Sequence, residues 1–575
     1  MSAIQQKIEQ ARAMLEARRA GKAADAPKQP NPEAKTAEVI QIQPDAPSAP
    51  ITAAAQLAEV KQTADKDRPD AAARTAALIN EVAVQFEPFM DQYGEVSILH
   101  VVGGRVEAVP IKSPLFSECV FEKTGRHLSR DNLEAARVVL RVAARKRDTR
   151  MVYKRVGLDG SYYTLDLGDK DGVIIRSDGN GWTMEINQGL AFRRPPGYGE
   201  LPKPVHIESA EDAWEAVQPL LEGLAKHNHV PLIAAMVEAM KCDSPYPIIV
   251  FIGSEGSGKS SKAARVKQTL DSFNGPPPSA NFELRDMVAA VNNTFMPLFD
   301  NVQAGLGKGV QDLLCRMSVG GAHTTRELNT TADTATINVH APVVVTAIAN
   351  PFNQPDVQDR CLFIPVQKPK SYQPGAVVHE AYQAALPRVL GGLLYFLVAS
   401  IRRRQEVAAQ RQYKHRLVEW LMTGEAIMQE LGRQPGEFVA MIDARRQRAA
   451  EDYIEGDAFA HALVKTLRAW GATAKPADKM PGWRSWSKQG WCAVESRGRV
   501  LVVATAQAIC AEAKKHCEYS DLLKLPATAR ATTGALQRVQ GVLGRAGIES
   551  ELKPVNGDKS QGWFFCLPRT FADET

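Results

Sequence analysis

The chain has 575 residues, 44% hydrophobic and 23% charged, with a formal net charge of +5; that length holds several domains, each able to bury its own core. Its eight cysteines (119, 242, 315, 361, 492, 510, 517 and 566) form no C-x-x-C pair and no Cys/His metal spacing, which argues against a disulfide scaffold or zinc site and for a reducing compartment. No stretch has the grammar of a signal peptide and no uninterrupted apolar run approaches membrane-spanning length, so a cytoplasmic protein without a membrane partner is expected, while the mild charge does not by itself announce nucleic acid.

Residues 1–75 open with a helical pattern, QQKIEQARAMLEARRA, and continue through Ala/Pro/Lys-rich text such as APKQPNPEAK. So little apolar surface predicts a tethered helix and a disordered linker. Residues 76–205 read as a small α/β accessory domain. A helix over 130–147 precedes YYTLDLGDKDGVIIRSDGNGWTMEI, whose alternation, broken by Asp-Gly and Gly-Asn turns, is hairpin grammar; FRRPPGYGELPKP forms the exit. A nucleotide domain over 206–400 and a helical segment over 401–475 follow. Basic clusters at 137–150 and 401–416 suit either solvated helix faces or binding stripes. In residues 476–575, TTGALQRVQGVLGRAGI (532–548) predicts a helix and SELKPVNGDKSQGWFFCL (550–567) two strands about Asn556-Gly557. Helix then hairpin suggests a winged helix holding duplex DNA through Arg538, Arg545 and Lys559, the alternative being a protein-contact module.

The densest signal is GSEGSGKS at 253–260, directly after the apolar run YPIIVFI and before the helical text KSSKAARVKQTL. It fits the phosphate-loop pattern G-x-x-x-x-G-K-[ST]. Gly253, Ser254, Glu255, Gly256, Ser257, Gly258, Lys259, Ser260 and Ser261 would cradle ATP at a helix N-terminus, with Lys259 a solvent-facing charge free of packing duty and Ser260 on Mg²⁺. TFMPLFDNV (294–302) is a strand placing Asp300 to share that Mg²⁺, followed by Asn301. LLCRMSVGGAHTTRELNTTADTATINVHAP (313–342) reads as helix, Gly-Gly and two strands around NTTADT, carrying His323 and Arg326. VVVTAIAN (343–350) is a buried strand ending on Asn350, and PDVQDR (355–360) sets Arg360 before the strand CLFIPV. Each has a plainer reading. Asn350 could close a turn, Arg360 could pair with Asp356 or Asp359 on the surface, and His323 and Arg326 could decorate an exposed hairpin.

This order resembles the AAA+ ATPases and, more narrowly, the superfamily 3 helicases of viruses, phages and plasmids. LCRMSVGGAHTTREL, APVVVTAIANP and PDVQDR, with ALPRVLGGLL (385–394), LGRQPGEFVAMIDARR (431–446) and the terminal GVLGRAGIE, are similar to ATP-binding proteins of prophages, plasmids and integrative elements. That likeness covers roughly the last 400 residues and extends upstream to YYTLDLGD and FRRPPG. It implies an AAA+-like α/β core using ATP and Mg²⁺, with Asn350 as the sensor and Arg360 as an arginine finger for a neighbour's ATP. It further implies that the 323–339 hairpin grips DNA inside a homo-oligomeric ring, a hexamer being one closed form. Asn301 stands where many such ATPases carry a water-activating glutamate, which leaves the general base unassigned, although the Asp-Asn pair belongs to the nearer family's pattern. The expected function is an ATP-dependent DNA helicase or translocase of mobile-element replication. The alternative is an ATP-switched DNA-binding regulator, helicase loader or DNA-sensing ATPase. No collinear carboxylates in the N-terminal region suggest a primase.

Overall fold

The computed structural model describes residues 69–274, 282–326, 334–477, 481–555 and 560–570. The helix and linker expected before residue 69 lie outside the described residues, as do the hairpin tip at 327–333 and Lys559.

Three helices, α1 (Pro69–Ala83), α2 (Leu115–Thr124) and α3 (Arg130–Ala144), accompany an antiparallel sheet of β1 (Pro88–Met90), β2 (Val96–Val102) and β3 (Arg105–Pro110). Ser129 caps α3 by accepting the Asn132 N–H, and Ala136, Leu140 and Ala144, one turn apart, form its buried stripe. Together with Ile98 and Phe116 they make a separate core. The next strands, β4 (Val156–Asp159), β5 (Tyr162–Asp166), β6 (Val173–Ser177) and β7 (Trp182–Ile186), form an antiparallel meander. Its inward residues Val156, Leu165 and Ile175 pack with Leu220, Leu386 and Leu390, so the segment read as one accessory unit divides between two cores. The division is fixed by polar groups too. Asp166 accepts Arg194 Nη2 at 2.5 Å and the Tyr198 hydroxyl at 2.9 Å, joining LDLGD to FRRPPG.

The nucleotide region comprises α4 (Ala210–Ala216), α5 (His229–Ala239), β8 (Ile248–Ile252), α6 (Lys259–Leu270), α7 (Leu284–Asn293), β9 (Leu298–Val302), α8 (Lys308–Val319), the hairpin β10 (Ala322–Arg326) and β11 (Thr334–Asn338), β12 (Val344–Ala347) and β13 (Cys361–Pro365). A parallel sheet runs in the order β9–β12–β8–β13. The central strand β8 reads as an unbroken apolar run because both its faces are covered: Ile249 and Phe251 face one core, Ile248 and Val250 the other.

Helix α9 (Gly375–Arg402) is long and apolar enough to cross a membrane, although Arg388 interrupts its apolar run, and 67% of its most apolar window is buried inside the protein. Gly391 admits the backbone of Val205, whose carbonyl oxygen would lie 1.9 Å from any Cβ there; α9 is the spine of the larger core. After α10 (Val418–Glu430), helix α11 (Glu437–Gly456) bridges two cores, with Phe438 and Ile442 in the first and Ala450 and Ile454 in the last. The C-terminal module contains α12 (Ala458–Ala472), β14 (Trp491–Ser496), β15 (Arg499–Ala504), α13 (Ala506–Ala513), α14 (Ala529–Arg545), β16 (Glu549–Pro554) and β17 (Gln561–Pro568). The expected helix and hairpin are there. The hairpin, however, is the edge of a five-stranded sheet completed by β14, β15 and a short strand at Lys475–Pro476.

Candidate nucleotide site

The glycine-rich loop lies at the carboxyl end of β8, inside the parallel sheet, where open α/β sheets bind ligands. A side chain at Gly253 would lie 2.5 Å from the Val366 carbonyl and 2.6 Å from Ser257 Oγ, while Gly256 and Gly258 hold φ of 73° and 84°. Gly258 is the N-cap of α6 and supplies no side-chain acceptor, so the first N–H groups of the helix stay open. Ser257 Oγ is buried without a hydrogen-bond partner. Ser254, Glu255, Ser260 and Ser261 are exposed. Lys259 departs from the reading of a solvent-facing charge: it is 8% exposed, its stem covered at the start of α6, and it makes no ion pair among the described residues. An open helix end, an orphaned hydroxyl and an unpaired cation together fit a phosphate ligand.

Asp300 completes the constellation. Ser260 Oγ donates to Asp300 Oδ1 at 2.8 Å and Thr346 Oγ1 donates to the same oxygen at 2.5 Å. Strand β9 bulges between Phe299 and Val302, and Asn301 sits in the left-handed region at φ 55°, which Asn tolerates at small cost. Its N–H donates to Thr346 Oγ1 at 2.8 Å. Thr346 therefore fixes both residues of the Asp-Asn pair, a role the sequence reading missed. The signal available was one hydroxyl in the otherwise apolar strand VVVTAIA.

Asn350 is exposed, and its Oδ1 accepts the Phe352 N–H at 3.0 Å, the turn geometry that competed with the sensor reading; the amide nitrogen is left over. Arg360 does not protrude. It is 7% exposed, donates to the Asp356 carbonyl at 2.6 Å and pairs with the Asp356 carboxylate at 2.8 Å. Arg416 meets the other Asp356 oxygen at 2.5 Å. Burial pushes the Asp356 carboxyl up, but hydrogen bonds from Arg360 and Cys315 and the two guanidinium charges outweigh it and hold it below the usual range. Next to it, Asp359 takes Arg446 at 3.2 Å and Arg545 at 2.5 Å. Arg545, expected on DNA, is thus occupied inside the chain, where α14 docks on the PDVQDR loop. Arg538 is exposed. His323 and Arg326 lie on β10 opposite Ile337 and Thr334 of β11.

A family model described as the actinomycete integrative conjugative element replication protein matches residues 222–416, the stretch from before the glycine-rich loop to Arg416. No curated protein matches the sequence. Among solved structures, the chain is similar to an SCCmec type IV Cch active helicase at 12% identity, covering 85% of this chain and 93% of that one with a TM-score of 0.42. It is similar to the NrS-1 C-terminal region at 12% identity, covering 85% and 98% with a TM-score of 0.34. A full-length MCM homolog from Methanopyrus kandleri shares 12% identity over 55% of this chain and 87% of its own, with a TM-score of 0.26. These likenesses are loose, and the chemistry of the site rests on its own residues.

Proposed function

We propose that this protein is an ATP hydrolase that moves on DNA and separates its strands during replication of a mobile element. The observation that carries the reading is the Ser260–Asp300 contact at 2.8 Å, because it brings the end of the glycine-rich loop and the acidic strand to one point beside an unpaired lysine. The family-model match over 222–416 supports replication as the context. In this reading residues 253–261 hold the phosphates and Ser260 and Asp300 hold Mg²⁺, which supplies charge neutralisation between phosphate oxygens. Lys259 meets the transferring phosphoryl group, Thr346 keeps Asp300 and the Asn301 backbone in place, and the Asn350 amide faces the reacting end. The 322–338 hairpin contacts DNA from the nucleotide region, and Arg538 adds a duplex contact from the C-terminal module. A division into N-terminal, nucleotide, helical and C-terminal parts is proposed on the same footing, with the meander of β4–β7 counted with the nucleotide part.

The test is DNA-stimulated ATPase together with displacement of a labelled strand from a fork. Turnover without displacement would favour the second reading, an ATP-switched DNA-binding regulator, which draws support from Asn301: in its left-handed bulge this position carries no carboxylate to activate water. A ring of identical subunits is part of the first proposal, but the pairing of the buried Arg360 with the half-exposed Asp356 makes Arg360 a structural residue in this arrangement. Mixing Lys259→Ala with Arg360→Ala subunits should then restore no ATPase; recovery would return Arg360 to a neighbour's site.

A further inference from the structure

A cavity of about 1160 Å³ lies between the N-terminal unit and the nucleotide region, walled by Tyr93, Arg141, Arg145 and Tyr153 on one side and by Phe295, Gly320 and His340 on the other. It sits at the amino end of the parallel sheet, away from the glycine-rich loop, and Gly320 and His340 are the root of the hairpin formed by β10 and β11. The His340 ring stacks on Tyr246 at 4.4 Å and 13°, so that root is firmly seated.

The charges on the walls are not balanced. Asp91 accepts the backbone N–H groups of Tyr93 and Glu95 at 2.9 and 2.8 Å, and Glu95 pairs with Arg193 at 3.5 Å; Asp243, the third carboxylate of the wall, lies beside the Tyr163 phenol. Arg141 and Arg145, one turn apart at the end of α3, have no carboxylate partner among the described residues. They belong to the basic run 137–150, in which Arg141 is half-buried, Arg145 and Lys146 are exposed and Arg147 reaches Glu87 at 4.0 Å. The helix end favours cations, but that accounts for neither the cavity nor the half-buried tyrosines Tyr93 and Tyr153 on its wall.

We infer that this cavity is a binding site for single-stranded nucleic acid, with Arg141 and Arg145 taking backbone phosphates at its mouth and Tyr93 and Tyr153 offering ring faces to unstacked bases. Unpaired guanidinium groups interleaved with aromatic rings are the chemistry that binds single strands without sequence preference. The volume exceeds what a small-molecule site of about 300–1,000 Å³ requires, which favours an oligomer over a mononucleotide. The hairpin root on the far wall lets a strand held here continue toward the nucleotide region. The inference does not depend on ATP chemistry.

The test uses the full chain and a fluorescein-labelled oligothymidylate, followed by anisotropy across a salt series. Arg141→Glu/Arg145→Glu should weaken binding at least about tenfold and lower the salt slope by roughly one to two, as expected for two lost phosphate contacts, with DNA-free ATPase unchanged. Lys259→Ala should bind the strand normally, which separates this inference from the ATPase proposal. Independently of whether the double variant folds, an oligomer carrying 5-iodouracil should photocross-link the wild-type chain at Tyr93 or Tyr153. Unchanged affinity and slope, cross-links confined to other regions, or displacement of the strand by equimolar thymidine monophosphate would overturn it.

Discussion

Two groups of carboxylates flank the nucleotide sheet and are satisfied in opposite ways. Among the described residues, Asp300 is attended by hydroxyls alone, those of Ser260 and Thr346, while nearby Lys259 has no carboxylate. Asp356 and Asp359 are attended by four arginines, Arg360, Arg416, Arg446 and Arg545. Both groups are rich in charge and both look functional in one dimension. In the first, the buried Lys259 has no carboxylate partner among the described residues, an arrangement that costs free energy unless a ligand arrives. In the second, charge is consumed within the chain and locks the PDVQDR loop to α11 and α14. Unmet charge marks a place for a ligand, and met charge marks a joint.

The largest effect should come from the unmet cation. Lys259→Ala should reduce steady-state ATP hydrolysis by at least about 100-fold, the order of loss for a group that stabilises transition-state charge, with little change in thermal unfolding because no ion pair is broken. A large drop in Tm with turnover preserved would make Lys259 a structural residue and collapse the comparison.

Thr346→Val should lower turnover about tenfold by freeing Asp300 and the Asn301 N–H, a cost of roughly one to two hydrogen bonds to a charged group. It should also raise the Mg²⁺ concentration needed for half-maximal rate. Thr346→Ser keeps the hydroxyl and should restore most of both. Equal losses in the Val and Ser variants would assign Thr346 to packing alone.

In the joint the balance should reverse. Asp359→Asn leaves Arg446 and Arg545 facing a neutral amide and should cost about 1 kcal/mol of stability, toward the low end because neither partner is fully buried. ATPase per folded molecule should stay near wild type. If hydrolysis collapses while Tm is unchanged, Asp359 belongs to the site and the joint is misnamed.

The smallest effect is a pH dependence. The Asp356 carboxyl is held below its ordinary value of 3.8 by Arg360, Cys315 and Arg416 acting against burial. A depressed carboxyl contributes stability that is in place above the unfolded value and is lost as pH falls through the folded one. Acid unfolding of the wild type should therefore include a component below about pH 3.8 that Asp356→Asn removes. Partial exposure and salt keep it under about 1 kcal/mol; no difference between the two acid profiles would leave the pairing without energetic weight.

What was legible in the sequence was local. The glycine-rich loop, its following helix and the strand ending in Asp300 are each written in a few consecutive residues whose backbone geometry has few solutions: glycines at left-handed φ, apolar runs buried on two faces, a helix opening on Lys259. Helix α3 and the terminal helix and hairpin were legible for the same reason. What one dimension left open was which distant residues meet. Thr346 reads as one polar letter in an apolar strand until β9 and β12 become neighbours. Arg545 reads as a free cation until Asp359 is placed beside it, and Arg360 stays open between a neighbour's site and a pair with Asp356 or Asp359 until the loop packs. The meander joined the nucleotide core, and not the N-terminal one, because its inward residues met Leu386 and Leu390, far along the chain. Short-range sterics fixed the elements; the pairing of charges, hydroxyls and apolar faces across the chain, which depends on burial and on strand order, was decided only when the elements packed.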